Sequence, residues 1–215
     1  MFDFLIFDLD GTVVDSQRDL TRAVNLTRAD YGLSGLSIET VSGYLGNGVK
    51  VLVDKVMPCD KVNCPVEIAR ALEKFKAYYA AHLIDTTKPY DGIVEILEKC
   101  RDKKKVILSN KSEQFSKEIV NRLGLSKHFL DVWGGDTLDE KKPSPKPILE
   151  LLKKFSVKPE NAIMIGDGVN DVLAARAAGI KSLATLYGYS PKDEIVNLKP
   201  DYIAYSPAEI ENIIE

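Results

Sequence analysis

Asp8 and Asp10 stand two residues apart where the apolar stretch that opens the chain ends, and Gly11 and Thr12 follow directly. Carboxylates can attack an electrophile, exchange protons or hold a hard cation through oxygen. A hydroxyl and an amide adjoin at Ser109 and Asn110, two further carboxylates stand at Asp167 and Asp171, and Lys142 sits in a small cluster with Lys141 and Lys146. Such a set suits chemistry on an anionic group if the fold gathers it in one place. An Asp-Gly pair also marks ordinary solvated turns, but a turn alone leaves the downstream partners unexplained.

The elements that must do the gathering are legible in the hydrophobic pattern. Residues 2–8 are almost continuously apolar, which predicts a strand buried on both faces. Ser16 is a candidate N-cap for a helix with Leu20, Val24, Leu26 and Tyr31 among its apolar positions, closed by Gly32. Residues 37–44, 49–57 and 66–83 read as helices, broken at Gly46-Asn47-Gly48 and at 58–65, with no strand before Pro89. Strands then alternate with helices: helix 93–101, strand 106–108, helix 114–123, strand 132–133, helix 147–155, strand 162–165, helix 171–178, strand 182–186, strand 202–204 and helix 207–214. This alternation predicts an α/β fold with a Rossmann-like parallel sheet, formed by residues 1–15 and 89–215, with residues 16–88 as an inserted helical domain. Ligands of such sheets bind beyond the carboxyl ends of the strands. Asp8 and Asp10, Ser109 and Asn110, and Asp167 and Asp171 all fall at such ends.

Composition narrows the function class. At 215 residues, 45% hydrophobic and 28% charged, the chain reads as an ordinary globular protein with one large core and a smaller appended domain. A formal charge of −3 speaks against a general nucleic-acid binder, and no run approaches the length of a membrane span. The opening stretch carries Asp3 and lacks a basic region and cleavage site, so the expectation is a soluble, cytoplasmic protein. Cys59 and Cys64 have no second close pair, Cys100 is remote, and His82 and His128 lie elsewhere, which favours reduced thiols over a zinc site. The Gly166-Asp167-Gly168 run invites a dinucleotide-binding reading. It fails because Asp171 takes the third glycine position and Asp167 would face a pyrophosphate.

The ordered set Asp8-Leu9-Asp10-Gly11-Thr12-Val13-Val14-Asp15-Ser16, Ser109-Asn110-Lys111, Gly134-Gly135-Asp136, Lys142-Pro143-Ser144-Pro145 and Gly166-Asp167-Gly168-Val169-Asn170-Asp171 resembles the haloacid dehalogenase (HAD) superfamily of phosphatases. It is most similar to the branch that includes bacterial phosphoglycolate phosphatases, and the likeness spans essentially the whole chain. The resemblance implies a HAD-like core with a helical cap, and hydrolysis of a small phosphate monoester through an aspartyl-phosphate. It makes Asp8 the nucleophile, Asp10 the general acid and base, and Lys142 the balancing cation, with Thr12, Ser109 and Asn110 binding phosphate oxygens. It also implies Mg2+ held by Asp8, the main-chain carbonyl of Asp10 and Asp167, with Asp171 supporting the site. Charge arithmetic agrees, since like charges ~4 Å apart repel by about 4 kcal/mol at an effective dielectric of ~20, and oxygen ligands favour magnesium.

The best single substrate is 2-phosphoglycolate. A pyrophosphatase, a sugar-phosphate phosphatase or a hexose phosphomutase shares the same core and is the alternative. A signalling receiver module has no use for Asp10 or for a large helical insertion, and a non-catalytic descendant would be expected to lack some of these residues. The expected partner is a small phosphorylated metabolite, with monomer and homodimer both open. Arg18 and Lys50 in the insertion could meet an anionic substrate or be plain surface cations. Leu36, Ile38, Val41 and Leu45, with Tyr78 and Tyr79, read as the insertion's own core.

Overall fold

The computed structural model describes residues 2–57 and 65–214. Cys59, Cys64 and most of the predicted break at 58–65 lie outside the described residues. In chain order the elements are β1 (Phe4–Phe7), β2 (Val14–Asp15), α1 (Gln17–Ala29), α2 (Ile38–Ser42), α3 (Val49–Val56), α4 (Pro65–Ala81), β3 (Lys88–Pro89), α5 (Ile93–Lys99) and β4 (Lys104–Leu108). Then follow α6 (Glu113–Arg122), β5 (Asp131–Trp133), α7 (Lys146–Phe155), β6 (Ala162–Gly166), α8 (Val169–Ala178), β7 (Lys181–Thr185), α9 (Lys192–Asn197), β8 (Tyr202–Ala204) and α10 (Pro207–Ile214). The chain divides into two compact units, residues 1–15 with 89–215, and residues 16–88.

The first unit is built on a six-stranded sheet of order β5-β4-β1-β6-β7-β8. All five of its pairings are parallel. Each β1 residue is buried, as the middle strand of a sheet covered on both faces requires. Phe4 pairs with Lys104 on one side and Ala162 on the other, and Phe7 with Ile107 and Ile165. The chain therefore runs outward from β1 to β4 and β5, then returns to β6 on β1's other side. That reversal is a topological switch point, where the crevice beyond the strand ends accepts ligands. One core cluster joins Phe4 and Ile6 of β1 to Met164 of β6, Ile148 and Leu151 of α7 and Ala174 and Ala175 of α8. In α7 the buried Ile148, Leu151 and Leu152 follow the i, i+3, i+4 spacing of a single helix face.

Most element ends differ from the predicted ones by one or two residues. The opening strand is shorter than 2–8, running Phe4–Phe7, with its paired register ending at Phe7 opposite Ile107 and Ile165. Helix α9 escapes the pattern because six residues with only Ile195 buried show no period. The two-residue β2 and β3 are also too short to read.

Within residues 16–88, α1 packs against α2, α3 and α4. Ser16 occupies the N-cap position of α1, though its side chain makes no cap bond. Of the predicted stripe only Val41 is fully buried, while Leu36, Ile38 and Leu45 are half-buried. The core comes instead from Leu52, Val53 and Val56 of α3 and Ala71, Phe75 and Tyr79 of α4. The Phe75 and Tyr79 rings stack at 5.7 Å. Tyr78 faces the other way and donates its hydroxyl to Asp30 at 3.0 Å. Among the described residues, no helix is long and apolar enough to cross a membrane.

Candidate active site

Asp8 is the first residue beyond β1, and its N–H still donates to Ile165 O at 2.8 Å, so the end of β6 anchors it. The chain then turns back on itself: Gly11 N–H donates to Val14 O at 2.9 Å, and Val13 N–H to Leu9 O at 2.9 Å. Gly11 has φ +82°, and a Cβ there would lie 2.3 Å from Asp167 Oδ2. Backbone conformation and space both demand glycine at this point. Leu9 is fully buried, whereas Asp8 and Asp10 are partly exposed, so the turn seats its apolar residue and leaves the flanking carboxylates at the rim. Leu9 N–H donates to Asp8 Oδ1 at 2.7 Å and fixes that carboxylate.

Three strand ends meet around Lys142. Its ammonium lies 2.6 Å from Asp171 Oδ1 and 3.1 Å from Asp8 Oδ1. Lys142 is 2% exposed. Lys146, by contrast, is half-exposed and pairs with Asp139 at 2.6 Å. Burial pulls the Lys142 ammonium down, but Asp171 and Asp8 outweigh it and hold its pKa above the ordinary value. Asp167, at the end of β6, accepts from Tyr189 N–H at 2.7 Å and from the Thr12 hydroxyl at 3.2 Å. Asp171, on the first turn of α8, accepts from Gly168 N–H at 2.9 Å.

Carboxylate oxygens of Asp8, Asp167 and Asp171 lie within 4.8 Å of one another. Burial, first, and then Asp171 and Asp10 push the Asp8 carboxyl up to about 7, against the downward pull of Lys142. Burial and the charges of Asp8 and Asp171 push Asp167 up to about 8. Three crowded, largely buried carboxylates with one lysine among them carry an excess of negative charge. The donor set is all oxygen, which fits a hard divalent cation.

The remaining predicted residues adjoin this cluster. Asn110 Nδ2 donates to Lys142 O at 2.9 Å and so ties the end of β4 to the lysine's backbone. Ser109 is buried, its N–H bonded to Trp133 O at 2.9 Å and its Oγ accepting from Lys111 N–H at 3.2 Å. Thr12 is also fully buried, with its hydroxyl directed to Asp167. Asp10 pairs with Lys111, Nζ to Oδ2, at 2.7 Å. Arg18 and Lys50 are exposed on α1 and α3 of the helical unit.

Sequence reasoning did not single out Lys111, Tyr187 and Tyr189 as site residues. The Tyr187 hydroxyl donates to Thr12 O at 3.0 Å, and the Tyr189 hydroxyl to Val14 O at 3.3 Å, so the loop after β7 braces the turn after β1. Position was the available signal: all three follow the carboxyl end of a strand in the same sheet.

Residues 5–185 match the family model described as Haloacid dehalogenase-like hydrolase. A phosphoglycolate phosphatase of Thiobacillus denitrificans is 36% identical over 209 residues, covering 95% of this chain and 92% of its own. One of Aquifex aeolicus is 35% identical over 213 residues, covering 98% and 96%. The crystal structure of a predicted phosphoglycolate phosphatase from Haemophilus somnus superposes with a TM-score of 0.94 at 31% identity, covering 100% of this chain and 98% of that one.

Proposed function

The chain belongs to the haloacid dehalogenase-like hydrolase family, and from that membership we propose that it is a magnesium-dependent phosphatase working through a phosphoryl group carried on Asp8. One observation carries the reading: Asp8 ends the central strand with its carboxylate held by Lys142 and grouped with Asp167 and Asp171. A carboxylate gripped by a buried cation at a switch point is placed to attack a bound phosphoryl group.

In the first step a carboxylate oxygen of Asp8 bonds to phosphorus while the ester P–O bond breaks, and Asp10 gives its proton to the departing alkoxide. In the second, Asp10 takes a proton from water as the water oxygen bonds to phosphorus. The acyl P–O bond breaks, inorganic phosphate leaves and Asp8 is restored. Lys142 stays between Asp8 and Asp171 throughout and offsets charge on the phosphoryl oxygens. Ser109 and Asn110, at the end of β4, line the phosphate side, and the Thr12 hydroxyl supports Asp167. Magnesium would be held by Asp8, the main-chain carbonyl of Asp10 and Asp167, with Asp171 behind, and when bound it supplies charge compensation for the carboxylates and the phosphoryl group.

For the substrate we take 2-phosphoglycolate, which the relatives' names support, and we place the activity in the cytoplasm. The test is phosphate release from 2-phosphoglycolate, pyrophosphate and hexose phosphates, with magnesium and with chelator. The reading expects the highest kcat/KM for 2-phosphoglycolate and none of that activity in chelator. Preference for pyrophosphate, or hexose phosphate isomerisation without phosphate release, would replace it.

A further inference from the structure

Lys111 takes no part in the steps at phosphorus, yet only 7% of its side chain is exposed and its ammonium reaches Asp10 Oδ2 at 2.7 Å. A lysine is rarely buried this far without a task that needs its charge. Its backbone is held on both sides: Lys111 N–H donates to Ser109 Oγ at 3.2 Å, and Lys111 O accepts from Gly135 N–H at 2.7 Å. A Cβ at Gly135 would lie 2.6 Å from Asn110 O, so only glycine lets the two loops come this close. The fold thus delivers a cation to the one carboxylate assigned to the leaving oxygen.

We infer that Lys111 recognises an anionic group on the leaving alcohol, specifically a carboxylate on the carbon that bears the leaving oxygen. This inference rests on the phosphatase reading above. Asp10 must touch the leaving oxygen to protonate it, and whatever hangs on the next carbon then lies close to Asp10. An ammonium has three donors, so one stays on Asp10 while another takes a substrate oxygen. Lys142 is already held between Asp8 and Asp171 on the phosphorus side. In 2-phosphoglycolate the carboxylate carbon is two bonds from the leaving oxygen, within reach of Lys111. A hexose phosphate offers only neutral hydroxyls there, and a hydrogen bond from a cation to a neutral oxygen is the weaker kind. Lys111 therefore reads charge on the leaving group while Asp10 handles its proton.

The experiment compares kcat/KM for 2-phosphoglycolate with that for ethyl phosphate, in which a methyl group replaces the carboxylate. The wild-type enzyme, Lys111→Met, Lys111→Gln and Lys111→Arg are measured. The expected result is a selectivity ratio that falls on the order of 100-fold in Lys111→Met and Lys111→Gln, chiefly through KM for 2-phosphoglycolate, as loss of one partner of a buried charge contact implies. Lys111→Arg keeps the ratio within about tenfold of wild type, because the cation remains. An unchanged ratio, with both esters slowed alike, would show that Lys111 only positions Asp10 and would overturn the inference. The second neutral variant keeps the question answerable if one fails to fold. Wild-type protein that hydrolyses neither ester overturns the phosphatase reading itself, whereas wild type that hydrolyses both equally overturns only the role of Lys111.

Discussion

Lys142 decides the electrostatics of the site. Its ammonium is sealed between Asp8 and Asp171, and without it three carboxylates would face one another in a largely dry space. Removing one member of a buried ionic cluster strands the others, at a cost of about 3 kcal/mol or more. Lys142→Met should therefore unfold at lower urea than wild type by roughly that free energy in metal-free buffer, and a transition unchanged in midpoint would contradict the burial described here. Added magnesium should return part of the loss, because a cation near the carboxylates replaces some of the missing charge. The lysine itself was legible as the start of the Lys-Pro-x-Pro run, but its neighbours Lys141 and Lys146 have the same residue type. Burial separates Lys142 from Lys146, and burial is a tertiary property. Lys111 went unread as a site residue for the same reason, since its pairing with Asp10 joins two strand ends that are remote in the chain.

At the scale of elements, strands buried on both faces and amphipathic α7 announce themselves by pattern, so the sheet was legible from β1 onward. The helical unit was less so. Its predicted stripe contributes one fully buried residue, Val41, because the five-residue α2 is short and the buried side chains of this unit come largely from α3 and α4. Nor does any period reveal Asp19, a buried carboxylate on the first turn of α1. It accepts from the N–H groups of Thr86 and Thr87 at 2.9 and 2.8 Å and from both hydroxyls at 2.7 Å. Burial alone would raise its pKa, but the four donors win and hold it below the ordinary carboxylate value. Asp19→Ala leaves those donors without an acceptor, and the expected cost is about 2–3 kcal/mol. The measurement is chemical unfolding followed by circular dichroism, and a loss under about 0.5 kcal/mol would mean the segment 86–87 does not depend on this anchor.

For the whole molecule, the site's charge makes stability depend on pH in a direction that can be worked out. In the metal-free protein Asp8 and Asp167 titrate near 7 and 8, above their unfolded value of 3.8. Below that value both are protonated in the folded and the unfolded chain, and their contribution is fully present. As pH rises from about 4 to about 8 the unfolded chain gives up its protons first, so the folded state loses ground. Asp19, Asp131 and Asp201 shift downward, and what they contribute is lost only on acidification below the ordinary carboxylate value. Metal-stripped protein should therefore lose roughly 5 °C or more in Tm between about pH 5 and pH 8, and saturating magnesium should flatten that slope. A metal-free Tm that rises over the same interval would refute the crowded-carboxylate picture. The central claim is that phosphorus is bonded for a time to Asp8. Rapid quenching of the enzyme during turnover of 32P-labelled 2-phosphoglycolate, followed by borohydride reduction and peptide mass spectrometry, tests it directly. The account predicts a reduced residue at position 8 in wild type and none in Asp8→Asn. Label trapped on another side chain, or steady turnover with no modification at position 8, would contradict it.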